Sequence, residues 1–520
     1  MQLSYFRNPY KILFLGATLL LFSWKSNAKQ TTDSTLIKTL IDQLCNDKAF
    51  ARQLEITEPE QLQKFYHLIG YQTAWTPQNK RFSDEFMQIL THADDYGLAK
   101  DDFHFKYLTS FNKNPVEYEL VCTHAMLSFL SEITSGKGKI DWDYNGLNYS
   151  NKCLNLEQLL ASVYQKGFFI DVLTYVQPQS MAYQENIRLL KKINVFLRDS
   201  SFLENSIEIS PTLKENKPLI QKLYYLGFLA NPDDPECQHE NTLIYALKGF
   251  QGMFNLNQDG KLGALTLRKI NIPLKDIKGQ MVKNLHRWRS LNCLDNQRYI
   301  LINIPSAELS FFDRDSLVIA MKVIVGKPAT PTPQLSSKID QIVFFPYWYV
   351  PNSIGLKEIL PVQQKEPNFL ENNGFQVLDD LGNIIEPSTL VWADYTATNF
   401  PYRFRQVAGC DNSLGIVKFN FENPFSVYLH DTNHKELFNK TTRQISHGCI
   451  RLEKPYDLAS ILLGNRTQVE DALKRRYDAD LKPVYVRLDN PVQVFISYMT
   501  ISVDEFGNLV FFDDVYHKIK

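Results

Sequence analysis

The 520-residue sequence has no excess of charge of either sign. Its 56 lysine and arginine residues stand against 57 aspartate and glutamate residues, and the net charge is −1. A chain without a basic surplus lacks the general attraction for polyanions, so nucleic acid is not expected as a partner. Apolar residues make up 44% of the chain, which is ordinary for a folded globular protein. Because one hydrophobic core rarely serves more than about 300 residues, the length predicts several domains.

Long apolar runs are also lacking, with one short exception near the N-terminus. Arg7 and Lys11 precede a charge-free run over 12–24, and the small residues of 26–28 follow it. The run has about 13 residues, whereas a membrane-spanning helix needs about 20. The pattern predicts a secretory signal peptide over 1–28, and therefore export to the periplasm or cell envelope. A retained membrane anchor and a buried cytoplasmic helix are the alternatives.

Cysteine pairs with the spacing of a metal or redox site are lacking as well. The seven cysteines include no C-x-x-C pair: they are Cys45, Cys122, Cys153, Cys237, Cys293, Cys410 and Cys449. An oxidising compartment permits disulfides, but an odd number leaves at least one thiol unpaired within the chain. The spacing does not choose among the possible pairings.

The first half of the chain has helical periodicity. Residues 32–205 contain no catalytic motif and are predicted to form a helical scaffold domain. Over 210–272, three short helices are predicted, at 217–227, at 242–254 and after Thr266 as an N-cap. The basic aromatic stretch His286-Arg287-Trp288-Arg289 follows, on a predicted linking helix over 283–291. Trp288 is expected to pack against the protein, while the charges of the stretch stay in solvent.

The period becomes strand-like after residue 297. Short runs rich in β-branched and aromatic residues predict strands at 299–304, 316–325, 342–345 and 424–429. A loosely patterned segment over 352–402 interrupts them. A long segment of this kind within a compact domain is typical of a lid over a site. A hairpin over 502–510 is predicted to close the same domain.

The residues that carry chemistry are concentrated in two segments of this β-rich region. Residues 428–432 read Tyr-Leu-His-Asp-Thr, and residues 446–452 read Ser-His-Gly-Cys-Ile-Arg-Leu. A cysteine attacks a carbonyl group as the thiolate, and a nearby imidazole accepts its proton and stabilises its charge. Cys449 is therefore the predicted nucleophile, and His430, 19 residues earlier, is the predicted general base.

The neighbours of Cys449 are suited to holding a substrate. His447 lies two residues away, where the backbone can place it beside the reacting carbonyl. Gly448 has no Cβ, so the main chain can approach the substrate and nearby amides can bind an oxyanion. Arg451 can clamp a carboxylate with two parallel hydrogen bonds.

Competing interpretations exist for these residues. His430, His434, His447 and Cys449 could together bind zinc, but His430 and His434 follow a strand rather than sharing a helical face, and the glutamate of the metallopeptidase helix motif is lacking. Asp431 is either a turn residue or the third member of a triad. A backbone carbonyl is the other candidate for orienting His430.

The same two segments resemble the signature of the L,D-transpeptidase (YkuD-like) catalytic domain. That signature is a histidine, a gap, Ser/Thr-His-Gly-Cys and an arginine two residues on, and the positions here are His430, Ser446, His447, Gly448, Cys449 and Arg451. Segments at 325–333, 345–348, 359–361 and 412–419 look like the long YcbB-type subfamily. One departure is Ala408-Gly409-Cys410 where a proline-glycine pair is expected, which raises the question of whether Cys410 lies near the site.

The three-helix segment over 210–272 resembles a peptidoglycan-binding module. The matching residues are Leu223, Leu226, Gly227, Phe250, Gln251, Asp259, Gly260, Gly263 and Thr266. A three-helix insert that binds nothing is the alternative.

These resemblances imply a fold class and a reaction. The fold class is multidomain α+β: a helical scaffold, a three-helix peptidoglycan-binding-like module and a mainly-β catalytic domain over 280–520 with a lid insert. Cys449 would take an acyl group from a tetrapeptide stem and expel D-alanine. The side-chain amine of a second stem would then form a crosslink between two diamino acids. Tyr428, Ser446 and Arg451 are expected to bind substrate.

The resemblance implies no metal or organic cofactor, and it implies that carbapenem β-lactams acylate the enzyme. The expected partners are peptidoglycan stem peptides and glycan strands, with a membrane involved only if the signal peptide is retained. Hydrolysis of the same thioester would make the protein an L,D-carboxypeptidase or an amidase. A non-catalytic wall-binding protein is the alternative from another class.

Overall fold

The structure is a computed structural model that describes residues 27–75, 79–110, 114–137, 142–210, 212–294, 297–314, 316–478 and 480–519, with side chains from residue 34. The predicted signal peptide lies almost wholly outside the described residues. Within these ranges, every helix is too short or too polar to cross a membrane.

Helices form most of the chain up to residue 200, as the periodicity predicts. They are α1 Asn27–Asn46, α2 Lys48–Gln53, α3 Pro59–Leu68, α4 Lys80–Thr91, α5 Phe105–Thr109, α6 Pro115–Ser135, α7 Leu156–Val163, α8 Phe169–Val176 and α9 Met181–Leu197. Local signals set the ends of α6, because the Asn114 side chain accepts hydrogen bonds from two amides of the first turn and Gly136 ends the helix at φ 76°. The apolar faces of these helices bury one continuous core.

The three helices predicted after residue 210 are present as α10 Lys217–Tyr225, α11 Glu240–Met253 and α12 Ala264–Ile270. Thr266 is not the N-cap, because α12 starts after Gly263. The Thr266 hydroxyl instead accepts a hydrogen bond from Gln251 at 3.2 Å, and Gln251 also receives the Gly260 amide at 2.8 Å. Gln251 therefore ties α11 to the turn before α12. The helices share the core of α1–α9.

The linking helix is α13, Leu274–Ser290. Trp288 packs against the helical core as expected, but Arg289 is fully buried. Its guanidinium donates to the Tyr183 hydroxyl and to the Tyr96 carbonyl at 2.6 Å. The prediction that all charges of this stretch stay in solvent is therefore wrong for Arg289, because tertiary acceptors bind its Nε and Nη2 inside the core.

Strands dominate the rest of the chain. They are β1 Tyr144–Asn145, β2 Arg298–Asn303, β3 Glu308–Asp313, β4 Ser316–Gly326, β5 Leu335–Phe344, β6 Trp348–Tyr349, β7 Phe375–Leu378, β8 Ile384–Ile385, β9 Arg403–Gln406, β10 Val417–Phe421, β11 Leu429–His430, β12 Gln444–Ser446, β13 Ile450–Leu452, β14 Val484–Ser497, β15 Ile501–Val503 and β16 Leu509–Phe511. The main sheet runs in the order β1-β5-β10-β11-β13-β4-β3-β2-β14, and pairing of β14 with β5 closes it into a ring around a second apolar core. The helices α17 Pro455–Leu463 and α18 Arg466–Arg475 cover this core.

The predicted strand over 424–429 is wrong for most of its length. The Asn423 side chain accepts hydrogen bonds from the amides of Phe425 and Val427, which bends the chain into a turn. Only Leu429 and His430 enter the sheet, while β10 before the turn is the longer strand.

The segment over 352–402 is more ordered than its loose pattern indicates. It contains α14 Asn352–Ile354, a π-helical turn Gly355–Ile359, α15 Leu360–Gln363 and α16 Phe369–Asn372. A separate four-stranded sheet of order β6-β9-β7-β8 holds it together around its own small core. We call these elements, from β6 to β9, the insert.

The predicted hairpin is present as β15 and β16, but it packs against the helical core. The Phe511 ring stacks 5.1 Å from that of Phe254, and Ile501 is fully buried in the helical core. Asn284 of α13 donates to the Ile501 carbonyl at 2.9 Å. The predicted role of the hairpin in closing the β domain is therefore wrong.

Candidate active site

Three neighbouring strands carry polar side chains onto one face of the main sheet. The register aligns Lys418 of β10 with His430 of β11, and His430 with Arg451 of β13. Residues in register on adjacent strands point to the same face. Cys449 immediately precedes β13, where the Ile450 amide donates to the Tyr428 carbonyl at 3.1 Å. Strand pairing thus brings the two sequence segments together.

Cys449 ends a tight turn that its own residues hold in shape. The Ser446 hydroxyl donates to the Cys449 carbonyl at 2.6 Å and accepts from the Gly448 amide at 3.1 Å. Gly448 has a φ of 118°, a conformation that residues with a Cβ rarely adopt. Ser446 and Gly448 therefore position the turn. The roles predicted for them in substrate and oxyanion binding stay predictions.

The loop after β4 braces this turn from behind. The Thr332 hydroxyl donates to the Gly448 carbonyl at 2.7 Å and accepts from the Gly326 amide at 2.8 Å. Tyr516, near the C-terminus, donates to the Gly326 carbonyl at 2.5 Å and accepts from the Thr332 amide at 3.2 Å. We call residues 446–449 the nucleophile turn, because it carries the predicted nucleophile. It is held by Thr332, 116 residues before Gly448, and through Thr332 by Tyr516.

A backbone carbonyl orients His430. Its Nδ1 lies 2.5 Å from the Asp431 carbonyl oxygen, which leaves Nε2 as the nitrogen able to accept a proton. The Asp431 carboxylate faces elsewhere and accepts hydrogen bonds from Lys435 at 2.5 Å, from the Tyr456 hydroxyl at 2.7 Å and from the Ile416 amide at 2.9 Å. Of the alternatives left open, the structure shows the backbone carbonyl as the orienting group and Asp431 as a turn residue.

Burial controls the ionisation of Cys449 and His430, the predicted nucleophile and general base. It raises the pKa of the Cys449 thiol, although hydrogen bonds from Tyr428 and the charges of Lys418 and Arg451 act in the opposite direction. Burial also lowers the pKa of His430 to about 3, with help from the charge of Arg451. The resting pair is therefore a neutral thiol and a neutral imidazole.

Two half-buried cations flank the thiol. Within the described ranges, no carboxylate pairs with the Arg451 guanidinium or with the Lys418 ammonium, which lies 3.9 Å from the centre of the Tyr428 ring. Strand register puts both cations on the same face as His430, and their charges lower the pKa of the Cys449 thiol against the effect of burial. Lys418 was not predicted as a site residue. The sequence feature that could have identified it is a lysine between two apolar residues of β10.

His447 points away from the sheet and contacts the insert. Its Nε2 lies 2.7 Å from the Glu358 Oε1, in the π-helical turn. Glu358 was not predicted as a site residue, because nothing in the sequence relates it to a turn 89 residues later. The side chains of His447 and Glu358 are 35% and 53% exposed, so a ligand can reach both.

The remaining predictions about this region have clear outcomes. His434 is exposed and contacts Glu436 at 3.2 Å, so His430, His434 and His447 have three different partners. In the described ranges, no group of three or more possible ligands comes together as the zinc interpretation requires. The Cys410 thiol donates to the Arg476 carbonyl at 3.4 Å, just after α18.

Comparison with known proteins agrees with this geometry. Residues 297–486 match the YkuD family, described as the L,D-transpeptidase catalytic domain, and residues 60–190 match the Scaffold domain. A Haemophilus influenzae protein named "Putative L,D-transpeptidase" is 35% identical over 243 residues, covering 46% of this chain. The chain spans 48% of the length of that relative.

Solved structures give weaker likenesses. An L,D-transpeptidase from Mycobacterium smegmatis is 13% identical, with a TM-score of 0.19. The match covers 39% of this chain and 58% of that one. One from Stackebrandtia nassauensis is also 13% identical, with a TM-score of 0.20. That match covers 57% of this chain and 97% of the other. Scores of this size do not establish a shared fold, so the family rests on the sequence match and the site. Residues 297–486 therefore belong to the YkuD family of L,D-transpeptidase catalytic domains, in a chain that also carries a Scaffold domain.

Proposed function

We propose that the chain is an exported peptidoglycan L,D-transpeptidase that crosslinks the diamino acids of two stem peptides. The observation that carries this proposal is the Cys449 thiol beside two cations that have no carboxylate partner in the described ranges. Lys418 and Arg451 flank Cys449 without carboxylate partners of their own in the described ranges. A donor stem ending in D-alanine supplies the missing carboxylate, and Arg451 can bind it with two parallel hydrogen bonds.

The first step is acyl transfer to the enzyme. His430 takes the Cys449 proton through Nε2, the sulfur attacks the carbonyl carbon of the donor diamino acid, and the C–N bond to D-alanine breaks. The proton on His430 then passes to the leaving amine. Because Nδ1 is fixed by the Asp431 carbonyl, the imidazole can relay that proton without changing its orientation.

The second step releases the acyl group. Attack by the amine of a second stem gives the crosslink, while attack by water gives the tripeptide product of an L,D-carboxypeptidase. The insert supports transfer, because it reaches the nucleophile turn through Glu358 and can limit the access of water.

Export, wall binding and the lid role of the insert belong to the same proposal. The Cys153–Cys293 disulfide suits an oxidising compartment, in agreement with the N-terminal pattern. The segment over 210–272 is proposed to bind glycan strands. Deleting it should weaken binding to isolated cell walls, and unchanged binding would identify it as a structural insert.

The nucleophile is tested by mass spectrometry of the intact protein after incubation with a carbapenem. We expect one covalent adduct, mapped to Cys449, and its complete loss in Cys449→Ala. Cys410→Ala is the matched control, because the Cys410 thiol is bound to the Arg476 carbonyl and has no predicted role in the reaction, and it should keep the adduct. An adduct on Cys449→Ala would refute the assignment.

The reaction type is tested with a purified disaccharide-tetrapeptide. Dimers joined through two diamino acids are expected from the wild-type protein and should disappear in Cys449→Ala. Formation of tripeptide alone would assign the protein as a carboxypeptidase.

A further inference from the structure

The insert carries a carboxylate to the nucleophile turn. Glu358 Oε1 lies 2.7 Å from His447 Nε2, and His447 is two residues before Cys449. Both side chains are partly exposed. The contact joins two parts of the chain that have separate apolar cores, so it is one of the interactions by which the insert reaches the nucleophile turn.

The packing of the π-helical turn explains why Glu358 points outward. Gly355 and Ile359 are buried in the core of the insert, and a Cβ on Gly355 would lie 3.0 Å from the Phe404 ring. The turn is thereby anchored through its first and last residues. Lys357 and Glu358 lie between them on the exposed side.

The charges around Cys449 are arranged by sign. The strands β10 and β13 supply Lys418 and Arg451, which favour an anion. Beside the turn before Cys449, the insert presents the Glu358 carboxylate, which favours a cation. The two stems differ in the same way, because the donor brings a carboxylate and the acceptor brings an amine that is protonated near pH 7. The cations would repel that amine, and Glu358 would attract it.

We propose that Glu358 and His447 form the binding site for the protonated amine of the acceptor stem, and that His447 accepts a proton from it. This inference rests on the transpeptidase function proposed above. Glu358 holds the ammonium by a charge-assisted hydrogen bond, and His447, which contacts that carboxylate, is two residues before the acylated Cys449.

The second step then balances as follows. The ammonium gives one proton to His447, and the freed nitrogen lone pair attacks the thioester carbonyl carbon. The C–N bond forms, the C–S bond breaks, and the sulfur leaves with the electron pair. The nitrogen gives up a second proton, which passes through His430 to the sulfur of Cys449. The proton on His447 is released to solvent, so the enzyme returns to its starting state.

The test is the variant Glu358→Gln in the full chain, which keeps the shape of the side chain and removes its charge. Acyl-enzyme formed from the tetrapeptide donor is offered increasing amounts of a stem tripeptide as acceptor. We expect the KM for the acceptor to rise by about tenfold and the ratio of crosslinked to hydrolysed product to fall. The rate of acylation by a carbapenem should stay within about twofold of wild type, because that step uses no acceptor amine.

Two further variants complete the test. Glu371→Gln removes an exposed carboxylate from the same insert and should match wild type in every measurement. His447→Gln should lower kcat for transfer more than it raises the acceptor KM, because it removes the proton acceptor and keeps the carboxylate.

The outcomes separate this inference from the proposed function. If wild type forms dimers and Glu358→Gln keeps the acceptor KM, the amine site is refuted and the transpeptidase stands. If Glu358→Gln slows carbapenem acylation as much as transfer, Glu358 only supports the turn and the inference is also refuted. If wild type releases tripeptide alone, the transpeptidase proposal fails, and the amine site fails with it.

Discussion

At the scale of single residues, the thiol of Cys449, the proposed nucleophile, is protonated in the empty site. Many cysteine enzymes hold a thiolate beside an imidazolium at neutral pH. Here burial raises the pKa of Cys449 and lowers that of His430 to about 3, so charge separation is unfavourable in the empty site. The cations Lys418 and Arg451 favour the thiolate but disfavour the imidazolium. Proton transfer must therefore accompany attack, when negative charge moves onto the substrate oxygen.

The alkylation of Cys449 should consequently depend steeply on pH. Because its pKa is raised, the thiolate fraction near pH 7 is below that of a free cysteine, and the rate should grow through pH 9 and beyond. His430 protonates only near pH 3, so no ion pair should add a reactive shoulder between pH 4 and pH 7. The measurement is the rate of iodoacetamide incorporation at the Cys449 peptide, with Cys449→Ala as the background. A rate that is constant from pH 5 to pH 8 would indicate a preformed ion pair instead.

At the scale of elements, local patterns were sufficient for the motif but not for what supports it. The segment around Cys449 was predictable because its residues act within one turn, and α17 was predictable from Pro455 and Gly464 at its two ends. The Glu358 contact and the Thr332 brace join positions 89 and 116 residues apart, and no local period encodes such a pairing. The hairpin was predicted correctly as an element, but its packing partner was not. The alternation of apolar and polar residues in the hairpin determines which of its faces is apolar. The helical core and the core of the main sheet could each pack against that face.

The brace behind the nucleophile turn is tested by Thr332→Val. This change keeps the side-chain shape but leaves the buried Gly326 amide and Gly448 carbonyl without the hydroxyl that joins them. We expect the free energy of unfolding to fall by about 1–3 kcal/mol, the cost of unsatisfied buried groups. Carbapenem acylation should slow as well, because no hydroxyl holds the Gly448 carbonyl and the turn before Cys449 loses its support.

Urea unfolding and stopped-flow acylation would measure the two effects of Thr332→Val. Thr441→Val, at an exposed position shortly before β12, is the control and should change neither. Wild-type acylation in Thr332→Val would show that the turn keeps its shape without the brace.

At the scale of the whole molecule, the helical and β-rich parts are interwoven rather than joined by one linker. β1 leaves the helical region and pairs with β5 of the main sheet, while the final hairpin leaves the sheet and packs on the helices. A fourth apolar cluster, which includes Leu294 and Phe495, lies where the two parts meet. These crossings set the position of the scaffold relative to the catalytic domain.

The Cys153–Cys293 disulfide fastens the same junction, so removing it should loosen the whole molecule. It closes a loop of 140 residues, for which chain entropy gives a stabilisation of up to about 5 kcal/mol. We expect Cys153→Ser/Cys293→Ser to unfold at lower guanidinium concentration than wild type, and reductant to bring wild type to the midpoint of the double variant. Cys237→Ser removes a free, half-buried thiol and is the control with an unchanged midpoint. Equal midpoints for the oxidised wild type and the double variant would show that packing and strand exchange hold the junction without the disulfide, since both interactions remain in the variant.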